Sequence, residues 1–409
     1  MTAEQGGPFQ RLRRVGPVAV VSIAQLFGTS LWFSANSAAD GLMQDWGAGP
    51  RDIGLLTSAV QAGFIAGTLV ISLGGLADRF RASLIFTVAS ICGALFNAGF
   101  AWLAQDVATG VAFRFLVGLS LAGIYPIGMK LIVSWEPART GQALALLVAM
   151  LTLGTALPHL LRWSGGDLPW QWIVTASSVL ALLGAGLIRA LGDGPHIPIR
   201  PVRQPGSPRR PSILTAFRIP GYRAAAVGYF GHMWELYAFW TVVPLLLAGT
   251  GLSDRFPVAG QSGLSFAIIA VGALGCLIGG RLSRHIGSEK VALGALALSG
   301  VCGMLVALAW QAMLPGVLLI LLLIWGAAVV ADSPQFSALS AGSCPRDAVG
   351  GALAVQNAIG FAITMVAIGG ETALFALVGP AAIWLLVPGP LIGLLGYAVA
   401  SRGLDRPRA

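Results

Sequence analysis

Charge is what this 409-residue chain has least of. Asp, Glu, Lys and Arg together make 10% of it, against 56% for hydrophobic residues. A soluble domain carries roughly a quarter of its residues charged, so an ordinary water-soluble fold is excluded. Cysteine is scarce as well: Cys92, Cys276, Cys302 and Cys344 lie in or beside apolar runs, with no paired set in a polar segment. That argues against a disulfide framework and a metal cluster. No Gly-Lys-Ser/Thr phosphate loop, no metal-spaced His or Cys pair and no Gly-x-Ser-x-Gly elbow occurs. The sequence therefore predicts no enzyme, no cofactor and no metal, and disfavours ATP as the energy source.

What the chain has instead is long apolar runs, twelve of them, each near the roughly 20 residues that cross a bilayer core. Spans one to six are Val15–Ala35, Asp52–Gly74, Ser83–Ala104, Val107–Met129, Gly141–Leu161 and Trp170–Leu191. Spans seven to twelve are Tyr222–Ala248, Ser262–Arg281, Val291–Gln311, Leu314–Ala338, Gly350–Gly370 and Ala376–Val399. The first run is too long for a cleaved signal and reads as a retained helix.

Basic residues orient these spans. Arg11, Arg13, Arg14, Arg79, Arg81, Arg139, Arg281, Arg284, Lys290, Arg346 and Arg402 fall on one side; only Arg51, Arg162 and Arg255 fall on the other. The positive-inside rule then predicts cytoplasmic N- and C-termini in a bacterial-type inner membrane. It also assigns the net charge of +9 to anionic lipid rather than nucleic acid.

Between Gly192 and Pro220 the pattern breaks: the six prolines from Pro195 to Pro211 alternate with Arg200, Arg203, Arg209 and Arg210, a composition that reads as a cytoplasmic linker. It divides the chain into 1–191, a six-helix half, the linker 192–220, and 221–409, a second half. The halves echo each other: Gly74-Gly75-Leu76-Ala77-Asp78-Arg79 returns as Gly279-Gly280-Arg281-Leu282-Ser283-Arg284, offset by 205. Pro126 returns as Pro334, offset 208, and Ala143-Leu144-Ala145 as Ala352-Leu353-Ala354, offset 209. Three ordered matches at nearly constant offset indicate a duplicated six-helix unit.

Twelve spans, a 6+6 duplication, a basic central loop and Gly-x-Leu-Ala-Asp-Arg between spans two and three resemble the major facilitator superfamily. The resemblance implies an all-α membrane protein with twelve transmembrane helices in two pseudo-symmetric halves. It implies a gating role for Gly74, Asp78 and Arg79 in a loop that fastens the two halves, and a central cavity lined by helices one, four, seven and ten. Physically, Gly74 permits a tight turn and Asp78 suits a helix N-terminus. The family motif continues with a glycine and basic residues, where this chain has Arg81, Ala82 and Ser83.

A charge near the bilayer centre costs roughly 3 kcal/mol or more, so the charges kept there are candidates for function. Arg114, Glu235 and Asp332 lie inside spans; Lys130 and Glu371 lie nearer the edges. Span one carries Ser22, Gln25, Thr29, Trp32 and Asn36 on one helical face. Span four aligns Arg114, Gly118 and Tyr125, and span ten aligns Trp325, Asp332 and Gln335. On span seven, His232 and Glu235 oppose Trp234, Tyr237 and Thr241, and one regular helix cannot aim both sets at one cavity; the Glu235 side is the expected wall. Lys130 and Arg139 read as inner-gate or lipid-anchoring residues, Glu371 as wet, and Trp46, Trp163, Trp170 and Trp172 as an interfacial belt.

The expectation is a monomeric secondary transporter of a small organic solute, an anion or zwitterion favoured, working by alternating access and coupled to protons. In it Glu235 and Asp332 respond to protons and Arg114 pairs with the substrate or a carboxylate. Proton-driven efflux of a drug-like compound competes, although Gly154-Thr155-Ala156-Leu157-Pro158 on span five lacks the Gly-Pro pair that such exporters often carry. A non-transporting membrane scaffold or sensor is a third reading.

Overall fold

Backbone groups facing lipid must be satisfied within their own segment, which leaves helices as the structure of such apolar runs. The computed structural model describes residues 16–137, 140–166, 168–196, 213–344 and 349–402, and among these there is no strand. Span one consists of α1 (Pro17–Thr29), α2 (Ser34–Ser37) and α3 (Ala39–Trp46), and span two is α4 (Pro50–Leu73). The short α5 (Leu76–Arg79) leads into α6 (Ala82–Trp102), span three. Span four is α7 (Val107–Leu121) with α8 (Tyr125–Trp135); α9 (Thr140–Gly165) and α10 (Trp170–Leu191) are spans five and six. Span seven is α11 (Pro220–Gly249), followed by the one-turn α12 (Leu252–Arg255). Spans eight and nine are α13 (Gly260–Ile286) and α14 (Ser288–Ala309). Span ten is α15 (Pro315–Ala331) with α16 (Ser333–Ser343), span eleven is α17 (Val349–Val378), and span twelve is the 3-10 segment Gly379–Leu385 with α18 (Pro388–Ser401).

Local chemistry sets the ends. Prolines stand in the first turn of α1, α4, α11, α15 and α18, where the missing N–H has no helical acceptor to lose. Asp106 caps α7, its carboxylate accepting from the Thr109 N–H at 2.8 Å.

Spans one, four and ten are broken, where the sequence suggests continuous helices. Pro126 and Pro334 stand in the first turn after two of the breaks and cannot donate to the residue four back. The Val330 carbonyl, which Pro334 leaves without that donor, takes the Cys276 thiol at 3.6 Å. Span eleven continues to Val378, past the expected end at Gly370.

The first six passes meet the last six along two seams, α4 on α17 and α9 on α13. Both are antiparallel. Along the first, Phe64 meets Phe361 with ring centroids 4.5 Å apart, and the backbone of Gly54 presses so closely on Thr372 that a Cβ there would overlap its side chain. Along the second, Trp163 lies over Gly263 and Ala145 over Gly280. The end of the bundle carrying Gly192 and Ile213 is here the linker end; the end carrying Trp163 and Gly54 is the far end.

Two sequence expectations change. The tight turn after span two falls on Gly75, at φ +63°, while Gly74 keeps right-handed helical angles (φ −71°, ψ −10°). Trp170 belongs to the core rather than the interfacial belt: it is buried against Trp46 and Phe100, and its indole donates to Asp45 at 2.7 Å. Trp163 and Trp172 are half-exposed, as a belt requires. Most of the linker lies outside the described residues. Its last part, Ile213–Arg218, is a 3-10 turn whose Ala216 is buried with Tyr222 and Ala352.

Candidate functional site

A chamber lies between the halves. Its inner compartment, about 120 Å3, is walled by Tyr125, Tyr229, Met233, Tyr237, Trp240 and Phe361, with Ser333, Ser337 and Asn357 among the polar contributors. A second compartment of about 500 Å3 continues toward the linker end, past Gln335, Gly280 and Arg284. The two share Tyr125, Met129, Val148, Ser333, Ser337 and Leu353. A separate furrow of about 410 Å3 between spans two, three and four is lined almost wholly by apolar side chains, among them Leu84, Val88 and Phe96.

At the far end the chamber is roofed by aromatic rings from both halves. Trp32 lies 5.0 Å from Phe64, 5.6 Å from Tyr237 and 5.8 Å from Phe361, centroid to centroid, and Phe33 meets Trp240 edge-on at 5.9 Å. Each such pair contributes about 0.5–1.5 kcal/mol beyond its burial. On the second seam the Trp163 indole donates to the Val258 carbonyl at 2.9 Å. The chamber is thus sealed at the far end.

Span seven turns its other face to the chamber than the sequence suggests. Tyr229, Met233, Tyr237 and Trp240 form the wall, while His232 and Glu235 point into the last six passes. Glu235 accepts from the Trp325 indole at 2.7 Å and the Ser299 hydroxyl at 2.8 Å. Phe239, one turn on, packs against Trp325 in a tilted arrangement with ring centroids 4.4 Å apart. The physical reason is partnership: spans nine and ten supply donors to a carboxylate, and the chamber side of span seven supplies rings to a roof. His232 Nδ1 lies 2.8 Å from Asp332 Oδ1, both groups buried. This pair stands one layer behind the wall, since the His232 ring is 5.9 Å from that of Tyr229 and Asp332 precedes the lining residue Ser333.

Arg114 does not reach the chamber. Its guanidinium is fully buried in the first half and donates to the carbonyls of Leu31 (3.1 Å) and Trp32, and to Ser34 Oγ and Asn97 Oδ1, both at 3.0 Å. None of these partners is a carboxylate. The carbonyls belong to the break between α1 and α2, where the helix no longer supplies donors, and the C-terminal end of α1 adds favourable dipole charge. Arg114 therefore staples the broken span in this structure, where it pairs with no acid.

The span-one face is likewise mostly internal: Trp32 packs into the roof, while Ser22, Gln25, Thr29 and Asn36 do not line the chamber. Gln25 is buried against Gly128 with neither amide atom hydrogen-bonded among the described residues, and Asn36 donates to Thr57 at 3.0 Å. Tyr125 and Gln335 do line it. Of the expected gating residues, Arg79 is exposed, while Arg139 and the Asp78 side chain lie outside the described residues. The loop is held from within its own half, by Lys130 donating to the Ala77 carbonyl. Glu371, expected to be wet, is 0% exposed.

Sequence reasoning missed Trp240, Tyr229, Phe361 and Asn357. In an apolar chain, rings at helical spacing look the same whether they face lipid, a neighbouring helix or a chamber.

Two antiparallel inter-half seams around a chamber open at one end define a carrier-type membrane fold. The chain belongs to the Major Facilitator Superfamily, whose model matches residues 21–370, a family of transporters rather than enzymes. It is 26% identical over 289 residues, 70% of this chain and 68% of the relative, to the 3-(3-hydroxy-phenyl)propionate transporter of Escherichia coli (strain K12). It is 33% identical over 124 residues to the niacin transporter NiaP of Acinetobacter baylyi, covering 30% of this chain but only 27% of that one. A third match, at 34% over 101 residues, covers 25% of this chain and 22% of the 4-hydroxybenzoate transporter PcaK of Pseudomonas aeruginosa. Among solved structures, the partially occluded inward open conformation of the xylose transporter XylE from E. coli superposes with a TM-score of 0.69 at 13% identity. That match covers 96% of this chain and 99% of that one. At that identity the likeness speaks for the fold alone.

Proposed function

We propose that this protein takes up a small aromatic carboxylate across a bacterial-type inner membrane by alternating access, driven by protons. One observation carries the reading: a ring-walled chamber between the halves, sealed at the far end and continuing toward the linker end. The excess of basic residues at the linker end makes that end cytoplasmic, so this is the inward-facing state of the cycle. Tyr125, Tyr229, Tyr237, Trp240 and Phe361 offer faces and edges to a planar ring. Ser333, Ser337 and Asn357 offer hydrogen bonds to a carboxylate or phenol, and Arg284 gives the inner mouth a positive charge. Niacin, 4-hydroxybenzoate and 3-(3-hydroxyphenyl)propionate are each a ring bearing a carboxylate, which supports this class of cargo.

Coupling is assigned to the groups behind the wall. His232 and Asp332 share a contact in a dry bundle, one layer from the cargo, and Glu235 lies on the same side of span seven. Protonation of these groups changes how the last six passes pack, and Ser333 and Tyr229 carry that change to the chamber.

The test is flux into proteoliposomes of radiolabelled 4-hydroxybenzoate and nicotinate, with and without an acid-outside gradient. Saturable uptake that accumulates only with the gradient is the expected result. Saturable but gradient-indifferent flux removes the coupling, and no flux of any ring-bearing carboxylate removes the cargo class.

A further inference from the structure

Glu371 stands outside every role described above. It is fully buried, and neither carboxyl oxygen has a hydrogen-bond partner among the described residues. Leu353 and Phe361 of α17 line the chamber. Glu371 follows Leu353 by eighteen residues, five turns at 3.6 residues per turn, so it stands on the same inward side of the helix. It lies about 15 Å along the axis from Phe361, on the far side of the aromatic roof. The next residue, Thr372, makes the tight contact with Gly54 of the other half, and Phe375 packs on Gly249 of α11. The carboxyl is therefore enclosed where the two halves close on each other.

Among the described residues, no cation compensates it there. The far end of α11 beyond Ala238, Phe239–Gly249, and the segment Gly379–Leu385 bring no titratable side chain. The outer end of α4 brings Arg51, which is exposed, and Asp52, whose carboxylate accepts from the Gly49 N–H at 2.8 Å. An ion needs water or a partner, and the shut seam gives it neither.

We propose that Glu371 is a proton-binding carboxyl of the far-end gate, holding a proton while the seam is shut and releasing it to water when the seam parts. This rests on the alternating-access reading above, though not on its cargo. It adds a proton site on the opposite side of the chamber roof from His232, Asp332 and Glu235. A deprotonated Glu371 favours the wet, outward-open arrangement and a protonated one the closed arrangement, because a group follows the state that solvates its charge.

The full chain in lipid nanodiscs, with its four cysteines replaced and nitroxide labels at Arg51→Cys and Leu377→Cys, reports the far-end distance by pulsed electron resonance. Leu377 is 81% exposed, so that label tolerates the site. The expected result is a long-distance population that grows as pH rises, is lost in Glu371→Gln at every pH, and persists in Glu371→Asp. A Glu371→Gln protein with an unchanged pH response overturns the proposal, as does a Glu371-containing protein with no response. A pH-insensitive gate alongside gradient-driven flux defeats this inference alone; a pH-sensitive gate with gradient-indifferent flux defeats only the coupling proposed above.

Discussion

Arg114→Met separates a cargo-binding arginine from a structural one. In the folded protein, four acceptors converge on the guanidinium: the carbonyls of Leu31 and Trp32, Ser34 Oγ and Asn97 Oδ1. Once it is gone, one hydroxyl proton on Ser34 serves Leu31 O at 3.1 Å or Asn97 Oδ1 at 2.7 Å, not both, and Trp32 O has no substitute. Two buried acceptors are left bare, at about 1–3 kcal/mol each. Shedding a buried charge offsets part of that, which places the net loss near about 2–3 kcal/mol. Arg114→Lys falls between, since a compact ammonium cannot span the fork. The assay pairs an SDS unfolding titration with equilibrium binding of radiolabelled 4-hydroxybenzoate to the folded fraction. The expected outcome is a lowered unfolding midpoint with unchanged affinity. A variant as stable as the parent that has lost binding would refute the reasoning and restore Arg114 as the cargo's counter-ion.

Two further perturbations probe other parts of the same picture. Glu235→Gln keeps a group of the same size and is expected to retain cargo counterflow but lose gradient-driven accumulation; Glu235→Ala also leaves the Trp325 indole bare and loses about 1–3 kcal/mol of stability. Equal accumulation by Glu235→Gln and the parent would remove Glu235 from coupling. Gly54→Val forces a side chain into Thr372 and is expected to raise thiol-reagent access to a cysteine placed at Trp240. Adding Thr372→Gly is expected to restore protection, and access unchanged in Gly54→Val would show that the seam does not close the far end.

The architecture was legible because its signals are repeated: twelve apolar runs, paired prolines at 126 and 334, and a glycine motif returning 205 residues later. The site was legible only in outline. Periodicity set Glu235 opposite Tyr237, and the structure keeps that opposition; which face met the chamber depended on Ser299 and Trp325, donors on other helices that no local pattern in span seven reveals. Arg114 misled for a related reason. Its partners are carbonyls released by a break in span one, and a sequence shows side chains far more readily than backbone groups left over by irregular turns. Glu371 sits near the end of an apolar run, which suggests water; it is dry because the two halves close over it, a contact between residues more than 300 positions apart in the case of Gly54 and Thr372.

The aromatic roof also has a kinetic meaning. Trp32, Phe64, Tyr237 and Phe361 hold each other across the divide when the chamber is empty, so an unloaded carrier must tear ring from ring before it can turn around. A flat cargo beneath them offers replacement contacts to the same rings as they separate. The alternating-access cycle proposed above therefore predicts that the return of the empty protein is its slow leg, with the rings that close the far end also setting turnover.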